Sequence, residues 1–178
     1  IYLTGASGLK EKNTNIIGSG TGYGVSLYAP YNGSTIDNNI LDSNISGFTQ
    51  GIYLTTYRSN HYSTTINGND INGNHAGINY YMTSGKNPGG FYNFIIQNNQ
   101  FRDNNYAMTY SYATNMSSFK INSNDFNNNI IADTIIRQNS THDVNSNYWS
   151  VNTGCNPLTA YQFQSGLYDN TPACDSIN

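Results

Sequence analysis

The sequence predicts an all-β fold, a parallel β-helix of about six short coils, from three observations. A six-residue pattern recurs along the chain, asparagines stand at fixed places within and after it, and residues that favour strands and turns dominate the composition. Only 10% of the 178 residues are charged, and Glu11 is the single glutamate. Tyr, Thr and Ile favour strands, whereas Asn and Gly favour turns.

The length and charge predict one domain, spanning residues 1–178. A chain of this size can bury a sizeable core, since domains usually have about 100 to 200 residues. The net charge is −3, and the seven Lys and Arg residues are scattered, so we expect no nucleic-acid partner. No apolar stretch approaches the roughly 20 residues of a membrane helix, so we expect no membrane span.

The recurring pattern is apolar, any residue, polar or small, Asn, any residue, apolar. It occupies 36–41, 66–71, 96–101, 121–126 and 144–149. A second asparagine stands three residues beyond each copy. The two predicted asparagine ladders are Asn39, Asn69, Asn99, Asn124 and Asn147, and Asn44, Asn74, Asn104, Asn129 and Asn152. Because one such unit cannot bury its own apolar face, the repeat predicts stacked coils.

The apolar ends of the pattern predict two inward ladders, with the coils about 4.8 Å apart. The members are Ile36, Ile66, Ile96, Ile121 and Val144 in the first, and Leu41, Ile71, Phe101, Phe126 and Trp149 in the second. Asparagine suits the corners between strands because it tolerates left-handed backbone, and identical amides can hydrogen-bond along a stack.

A further strand follows each copy, where a small residue precedes an apolar one. The small residues are Gly24, Gly51, Gly77 and Ala107. Each unit is therefore predicted to have three short strands and a loop of variable length. The segment 1–3 matches 52–54, so we expect the chain to begin on this strand, with the first coil covered by the rest of a longer surface protein or by a neighbouring subunit.

The last quarter of the chain contains both cysteines, Cys155 and Cys174. We predict a disulfide that staples the closing segment 153–178; two free thiols or half of a metal site are the alternatives. Triplets of the N-glycosylation type begin at Asn32, Asn44, Asn115 and Asn139, and the first, third and fourth are candidate glycosylation sites. These features indicate an extracellular or cell-surface protein.

The repeats resemble those of the pectate-lyase-like superfamily of right-handed parallel β-helices. They are most similar to the Asn-rich repeats of surface proteins and of NosD-like periplasmic proteins. The segments 145–150 and 167–172 are similar to the pieces that close many such helices. The resemblance implies the fold and the handedness, which also agrees with the general preference for right-handed crossovers. It does not imply one function, because the superfamily includes lyases, hydrolases, adhesins and scaffolds.

Enzymes of that superfamily that cleave polyuronates carry acidic residues and a basic residue on one outward face. Asp70, Arg102 and Asp125 are the corresponding candidates here, with Asp70 and Asp125 expected two coils, about 10 Å, apart. That separation is marginal for an inverting glycosidase, whose carboxylates are roughly 6.5 to 9.5 Å apart. No catalytic motif of the family matches these positions, so outward solvated residues are the favoured interpretation and no catalytic role is assigned.

Tyrosine is unusually frequent, with 16 copies. Two outward rows are predicted on the strand after the small residue, one with Tyr2 and Tyr53 and the next with Tyr28 and Tyr81. Tyr57, Tyr62, Phe91 and Tyr92 are placed in the variable loops. Exposed aromatic clusters bind sugars or form protein interfaces, so Tyr2, Tyr28, Tyr53, Tyr57, Tyr81 and Tyr92 are candidate glycan or subunit contacts. Alternatively, these tyrosines only cover the solenoid.

The histidines His61, His75 and His142 have no partner at ligand spacing, so we predict no metal or cofactor. The leading hypothesis is a non-catalytic structural β-helix at the cell surface, which is a segment of a larger protein or a stacking subunit of a fibre or sheath. A fragment of a polysaccharide lyase or glycoside hydrolase, and a non-assembling glycan-binding adhesin module, are the alternatives.

Overall fold

The computed structural model describes residues 1–5, 8–29, 35–57, 60–82, 90–111, 116–117, 119–129, 132–136, 142–143, 147–150, 161–163 and 168–169. This part of the chain contains no helix, and therefore none with the length and apolar character of a membrane span. All strand pairings in it are parallel. The protein is a parallel β-solenoid, which confirms the predicted fold class.

The strands are short, and most have three residues. In chain order they are β1 (Tyr2–Thr4), β2 (Lys10–Lys12), β3 (Asn15–Ile17), β4 (Tyr23–Ala29), β5 (Thr35–Ile36), β6 (Asn39–Leu41), β7 (Asn44–Ser46), β8 (Gln50–Thr56), β9 (Asn60–Tyr62), β10 (Thr65–Asn67), β11 (Asp70–Asn72), β12 (Ala76–Met82), β13 (Gly90–Tyr92), β14 (Ile95–Gln97), β15 (Gln100–Arg102), β16 (Tyr106–Ser111), β17 (Met116–Ser117), β18 (Phe119–Asn122), β19 (Asp125–Asn127), β20 (Ala132–Ile136), β21 (His142–Asp143), β22 (Tyr148–Ser150), β23 (Tyr161–Phe163) and β24 (Tyr168–Asp169).

The strands form four sheets. Sheet A has the order β1-β4-β8-β12-β16-β20-β23, sheet B β2-β6-β10-β14-β18-β21-β24, sheet C β22-β19-β15-β11-β7-β3 and sheet D β17-β13-β9-β5. Four consecutive turns have a strand in all four sheets, namely β4–β7, β8–β11, β12–β15 and β16–β19. The prediction of six coils is therefore corrected to about four complete turns.

Sheet D is the feature that the three-strand prediction lacks. Its strands have two or three residues each; β9, β13 and β17 lie in segments predicted to be loops of variable length, and β5 overlaps the start of the first predicted copy of the repeat. The strands of sheets B and C are as short, but they lie beside recurring asparagines, whereas no asparagine recurs at one position of the sheet D strands. Each complete turn consequently has four strands instead of three.

The core contains the predicted inward residues of the middle turns. Ile66 pairs with Ile96, and Ile96 with Ile121; Ile71 pairs with Phe101, and Phe101 with Phe126. All six are at most 3% exposed. The rings of Phe101 and Phe126 stack with their centroids 4.9 Å apart. Burying each such side chain contributes about 1.5 to 3 kcal/mol, so these ladders supply a substantial part of the stabilisation of the solenoid.

The first copy of the repeat is shifted by four residues from the predicted register. Ile40, not Ile36, pairs with Ile66, and Ile45, not Leu41, pairs with Ile71. Ile36 instead pairs with Tyr62 in sheet D, and Leu41 pairs with Asn67. The prediction was wrong because Ser43 occupies the corner where later turns have asparagine, which made Asn39 the better match to the pattern. Val144 lies outside the described residues.

Asparagine ladders connect the turns inside the solenoid. Asn69 donates through Nδ2 to Oδ1 of Asn99, Asn99 to Asn124, and Asn124 to Asn147, at 2.9, 2.9 and 3.0 Å. A second ladder runs through Asn74, Asn104 and Asn129 at the next corner. Each of these amides also donates to a backbone carbonyl of the preceding turn, as Asn99 does to Ile66. The ladders thus satisfy polar groups that the stacked turns bury.

Two predicted ladder members lie elsewhere. Asn39 is on β6, and its Nδ2 donates to the carbonyl of Asp37 at the surface. Asn44 is on β7, where its Oδ1 accepts a hydrogen bond from Asn72. Both follow from the four-residue shift, and Asn152 lies outside the described residues.

At one corner of the solenoid, the residue before the ladder position adopts left-handed backbone. Gly68, Asn98 and Ser123 precede Asn69, Asn99 and Asn124, and Asp42 precedes Ser43 in the first turn; their φ angles lie between 48° and 70°. Asn, Asp and Gly adopt this conformation at the lowest cost, which explains their frequency in the chain.

Candidate functional site

Sheet A has tyrosines in two neighbouring rows on its outer face. Tyr2 and Tyr53 lie in one row with Ser26 between them, and Tyr28 and Tyr81 lie in the next row with Thr55 between them. Tyr2 is 67% exposed, whereas Tyr28, Tyr53 and Tyr81 are half-buried. The two rows are those that the sequence predicts.

The structure adds Tyr23 to this surface. Its ring, 48% exposed, stacks on Tyr53 with the centroids 4.6 Å apart and the planes 11° apart. Tyr53 in turn contacts Tyr81 at 6.3 Å and 34°. Tyr23 was not among the residues predicted from the sequence, although its position directly before Gly24 is a usable signal. We call Tyr2, Tyr23, Tyr28, Tyr53 and Tyr81 the tyrosine face.

The tyrosine face is electrically neutral. The five strands that build it and its continuation, β1, β4, β8, β12 and β16, contain no Asp, Glu, Lys or Arg. Burial raises the pKa of Tyr53, so its phenol stays uncharged at neutral pH. A surface of phenol rings without fixed charge suits a ligand that has apolar patches and hydroxyl groups but no charge.

The other two candidate tyrosines lie away from this face. Tyr92 is on β13 of sheet D, where its ring stacks on Tyr62 with the centroids 5.1 Å apart, and Tyr57 follows the end of β8. The prediction that 62 and 91–92 are loop residues was wrong, since all three belong to sheet D. Phe91 is fully buried in the core. The six candidates therefore do not form one surface.

Sheet C carries the charged candidates. The guanidinium of Arg102 donates two hydrogen bonds to the carboxylate of Asp70, from Nε to Oδ1 at 2.8 Å and from Nη2 to Oδ2. The hydrogen bond from Arg102 is the main cause that lowers the pKa of Asp70. The two side chains are 48% and 28% exposed, which makes this a partly solvated ion pair. Such a pair orients Asp70 and keeps it ionised.

Asp125 lies in the same row as Asp70, with Gln100 between them. Burial raises the pKa of Asp125, and its Oδ1 is buried without a hydrogen-bond partner among the described residues. Its environment is therefore opposite to that of Asp70. Asp70 also borders a shallow groove of about 350 Å³, which Asn13, Thr14, Asn15, Asp42, Ser43, Asn44 and Gly68 line as well.

His61 and His75 make contacts with neighbouring residues of the solenoid. His61 is fully buried, with Nε2 donating to the carbonyl of Thr55 at 2.8 Å and the ring stacked on Phe91. His75 is exposed and pairs with the side chain of Asn105. Within the described ranges, no three His, Cys, Asp or Glu side chains are grouped so that they could hold a metal ion.

Several predicted sites lie outside the described residues. These are the cysteines Cys155 and Cys174 and the candidate glycosylation sites Asn32, Asn115 and Asn139. They stay predictions.

Comparison with known proteins finds no match: no family model, no curated protein sequence and no solved structure is similar to the chain. The parallel β-solenoid is shown by the structure alone. The neutral tyrosine face on sheet A and the charged row on sheet C are the two candidate functional surfaces.

Proposed function

We propose that this protein is an extracellular or cell-surface structural β-helix whose tyrosine face binds uncharged glycans. The observation that carries the proposal is the array of Tyr23, Tyr53 and Tyr81 on β4, β8 and β12, three strands of sheet A that contain no charged residue. A sugar has apolar C–H faces and hydroxyl groups, which match the rings and hydroxyls of tyrosines. The resemblance of the repeats to the Asn-rich repeats of surface proteins supports a surface location and is itself part of the proposal.

The solenoid supports this role by holding the tyrosines at fixed spacing. Neighbouring turns are about 4.8 Å apart, so tyrosines on β1, β4, β8 and β12 cover roughly 14 Å along the axis. That length accommodates two or three sugar units of an extended chain. Because the asparagine ladders fix the turns, little entropy is lost when the ligand binds. A rigid surface of this kind suits repeated weak contacts along a polymer.

The experiment is an array of neutral and acidic glycans probed with the wild-type chain and with single tyrosine variants. Binding should be confined to neutral glycans, and Tyr53→Ala should weaken it about three- to tenfold, which corresponds to one aromatic contact of about 0.5 to 1.5 kcal/mol. Tyr92→Ala is the matched control because Tyr92 is a stacked, half-buried tyrosine of sheet D. A preference for acidic glycans would refute the proposal. So would binding by Tyr53→Ala and Tyr81→Ala that is as strong as binding by the wild type.

The tyrosine face could instead contact neighbouring subunits of a fibre or sheath. This outcome is distinguished by electron microscopy of the native protein together with the array. Ordered fibres that Tyr53→Ala disrupts, without glycan binding, would replace the glycan proposal with an assembly role.

A second candidate function, glycoside hydrolysis, rests on the opposite environments of Asp70 and Asp125. An acid and base pair needs one carboxylate that stays ionised and one that holds its proton, and the lowered pKa of Asp70 and the raised pKa of Asp125 have these directions. Their separation of two turns, about 10 Å, is just beyond the range of inverting enzymes. Release of reducing sugar from glycans that disappears in Asp125→Asn would establish it; activity that survives in Asp125→Asn would exclude this site.

A further inference from the structure

Tyr23 and Tyr53 form the closest tyrosine pair among the described residues. They belong to neighbouring turns, on β4 and β8, with ring centroids 4.6 Å apart and planes 11° apart. Tyr23 is 48% exposed, so a small oxidant or its radical product can reach this phenol from solvent. Two phenols held face to face by a rigid sheet need little movement before an atom of one ring can bond to the other.

We infer that Tyr23 and Tyr53 are a site of oxidative modification, at which a haem peroxidase with hydrogen peroxide joins the two rings as an intrachain dityrosine. Each phenol loses one electron and one proton and becomes a phenoxyl radical. The two radicals combine through a carbon–carbon bond between their Cε atoms, and the hydrogen on each of these carbons then moves to the phenol oxygen. The protein loses two hydrogen atoms in total, and the peroxide is reduced to two molecules of water.

The geometry selects this pair over the other tyrosines. Tyr53 and Tyr81 are 6.3 Å apart and tilted by 34°, and the stacked pair Tyr62 and Tyr92 is 5.1 Å apart. Tyr2 is more exposed than Tyr23, at 67%, but it has no ring contact within the described part of the chain. Exposure alone would favour coupling of Tyr2 between molecules, whereas proximity favours coupling of Tyr23 and Tyr53 within one molecule.

The cross-link would fasten one turn of the solenoid to the next. It joins positions 30 residues apart in the sequence. A covalent link of this kind restricts the unfolded chain, as a disulfide does, and so raises stability. This role is separate from glycan binding, since it requires an oxidant and no ligand.

The test treats the whole chain at low concentration with a haem peroxidase and hydrogen peroxide. The monomer should lose the mass of two hydrogen atoms, gain dityrosine fluorescence and unfold at a higher temperature. Peptide mapping should identify the link between Tyr23 and Tyr53. Tyr53→Phe should abolish this product, because phenylalanine forms no phenoxyl radical, whereas Tyr2→Phe should leave it unchanged.

Three results would overturn the inference. One is a monomer cross-link that maps to another pair, such as Tyr53 and Tyr81. Another is dityrosine found only between molecules, through Tyr2. The third is an undiminished Tyr23 link to Tyr53 when the reaction is run in denaturant, because the folded geometry would then not be its cause. Circular dichroism of Tyr53→Phe before oxidation verifies that the variant is folded.

Discussion

Acid should destabilise the solenoid through His61, because this imidazole is fully buried in the core. Burial lowers the pKa of His61 to about 4, from 6.5 in an unfolded chain. Between these two values the unfolded state binds the proton and the folded state does not. The contribution of the neutral His61 to stability is therefore fully present above pH 6.5 and falls as the pH is lowered through this window. It is fully lost below about pH 4.

The size of the effect follows from the separation of the two pKa values. A difference of one between the folded and unfolded pKa values corresponds to about 1.4 kcal/mol. The loss of folding stability caused by His61 is therefore about 3 kcal/mol. That is a large part of the 5 to 15 kcal/mol that usually stabilises a domain. His61→Phe keeps a ring against Phe91 and removes the titrating group. It also leaves the carbonyl of Thr55 without its donor, which costs about 1 to 3 kcal/mol at neutral pH.

The assay is urea unfolding followed by circular dichroism from pH 7 to pH 4, on the wild type and on His61→Phe. The wild type should be the more stable at pH 7, and its advantage should shrink by about 3 kcal/mol, or reverse, by pH 4. Comparing the two chains cancels the carboxylates that both contain. His75→Phe, which replaces an exposed histidine, is the control and should retain the steep acid loss. Parallel pH curves for wild type and His61→Phe would refute the reasoning.

Three further predictions concern stability and are measured by the same urea unfolding. Asn99→Ala should cost roughly 3 to 5 kcal/mol, because the buried backbone N–H of Asn69 and the carbonyl of Ile66 lose the hydrogen bonds that Asn99 makes with them. Asn39→Ala should change stability by less than about 0.5 kcal/mol, and equal costs for the two variants would contradict the structural role of the ladder. Gly51→Ala should cost about 1 to 3 kcal/mol, since the added Cβ would lie 2.8 Å from the next turn's backbone oxygen, and a neutral effect would mean that the turns can separate freely. Arg102→Ala should cost less than about 1 kcal/mol because the ion pair is partly solvated, and a larger loss would show that the pair supports the fold.

The repeat could be predicted from the sequence because the same physical demand recurs in each turn. Asn69, Asn99 and Asn124 each have to satisfy the same buried backbone groups, so the same residue stands at each position. The small residues of sheet A recur for a similar reason. A Cβ on Gly24, Gly51 or Gly77 would lie 2.5 to 2.8 Å from a backbone oxygen of the next turn. The spacing of these recurring residues was therefore enough to predict the core residues of the middle turns.

The prediction from sequence was wrong where a residue other than asparagine makes the same hydrogen bond. Ser43 accepts the backbone hydrogen bond of Thr14 through its hydroxyl, as an amide oxygen does at later turns. The recurring pattern therefore fits Asn39 better than Ser43, which shifts the predicted register of the first copy by four residues. Sheet D was missed because its short strands share no recurring residue, whereas the equally short strands of sheets B and C lie beside recurring asparagines.

For the candidate sites, the sequence predicted which residues share a row but not which side chains contact each other. Alternation along the strands indicated which tyrosines share a row, and it placed Asp70 and Asp125 in one row. The stacking of Tyr23 on Tyr53 depends on the directions of the side chains at a corner, which alternation does not define. The same holds for the hydrogen bonds between Arg102 and Asp70.

The most direct test of glycan binding by the tyrosine face maps where a neutral glycan touches the protein. The chain is labelled with a phenol-reactive reagent, with and without a neutral glycan that it binds on the array, and labelling of each tyrosine is measured by mass spectrometry. We predict that the glycan protects Tyr23, Tyr53 and Tyr81 and leaves Tyr62 and Tyr92 on sheet D unprotected. Protection confined to sheet D, or unchanged labelling of the tyrosine face at saturating glycan, would contradict it.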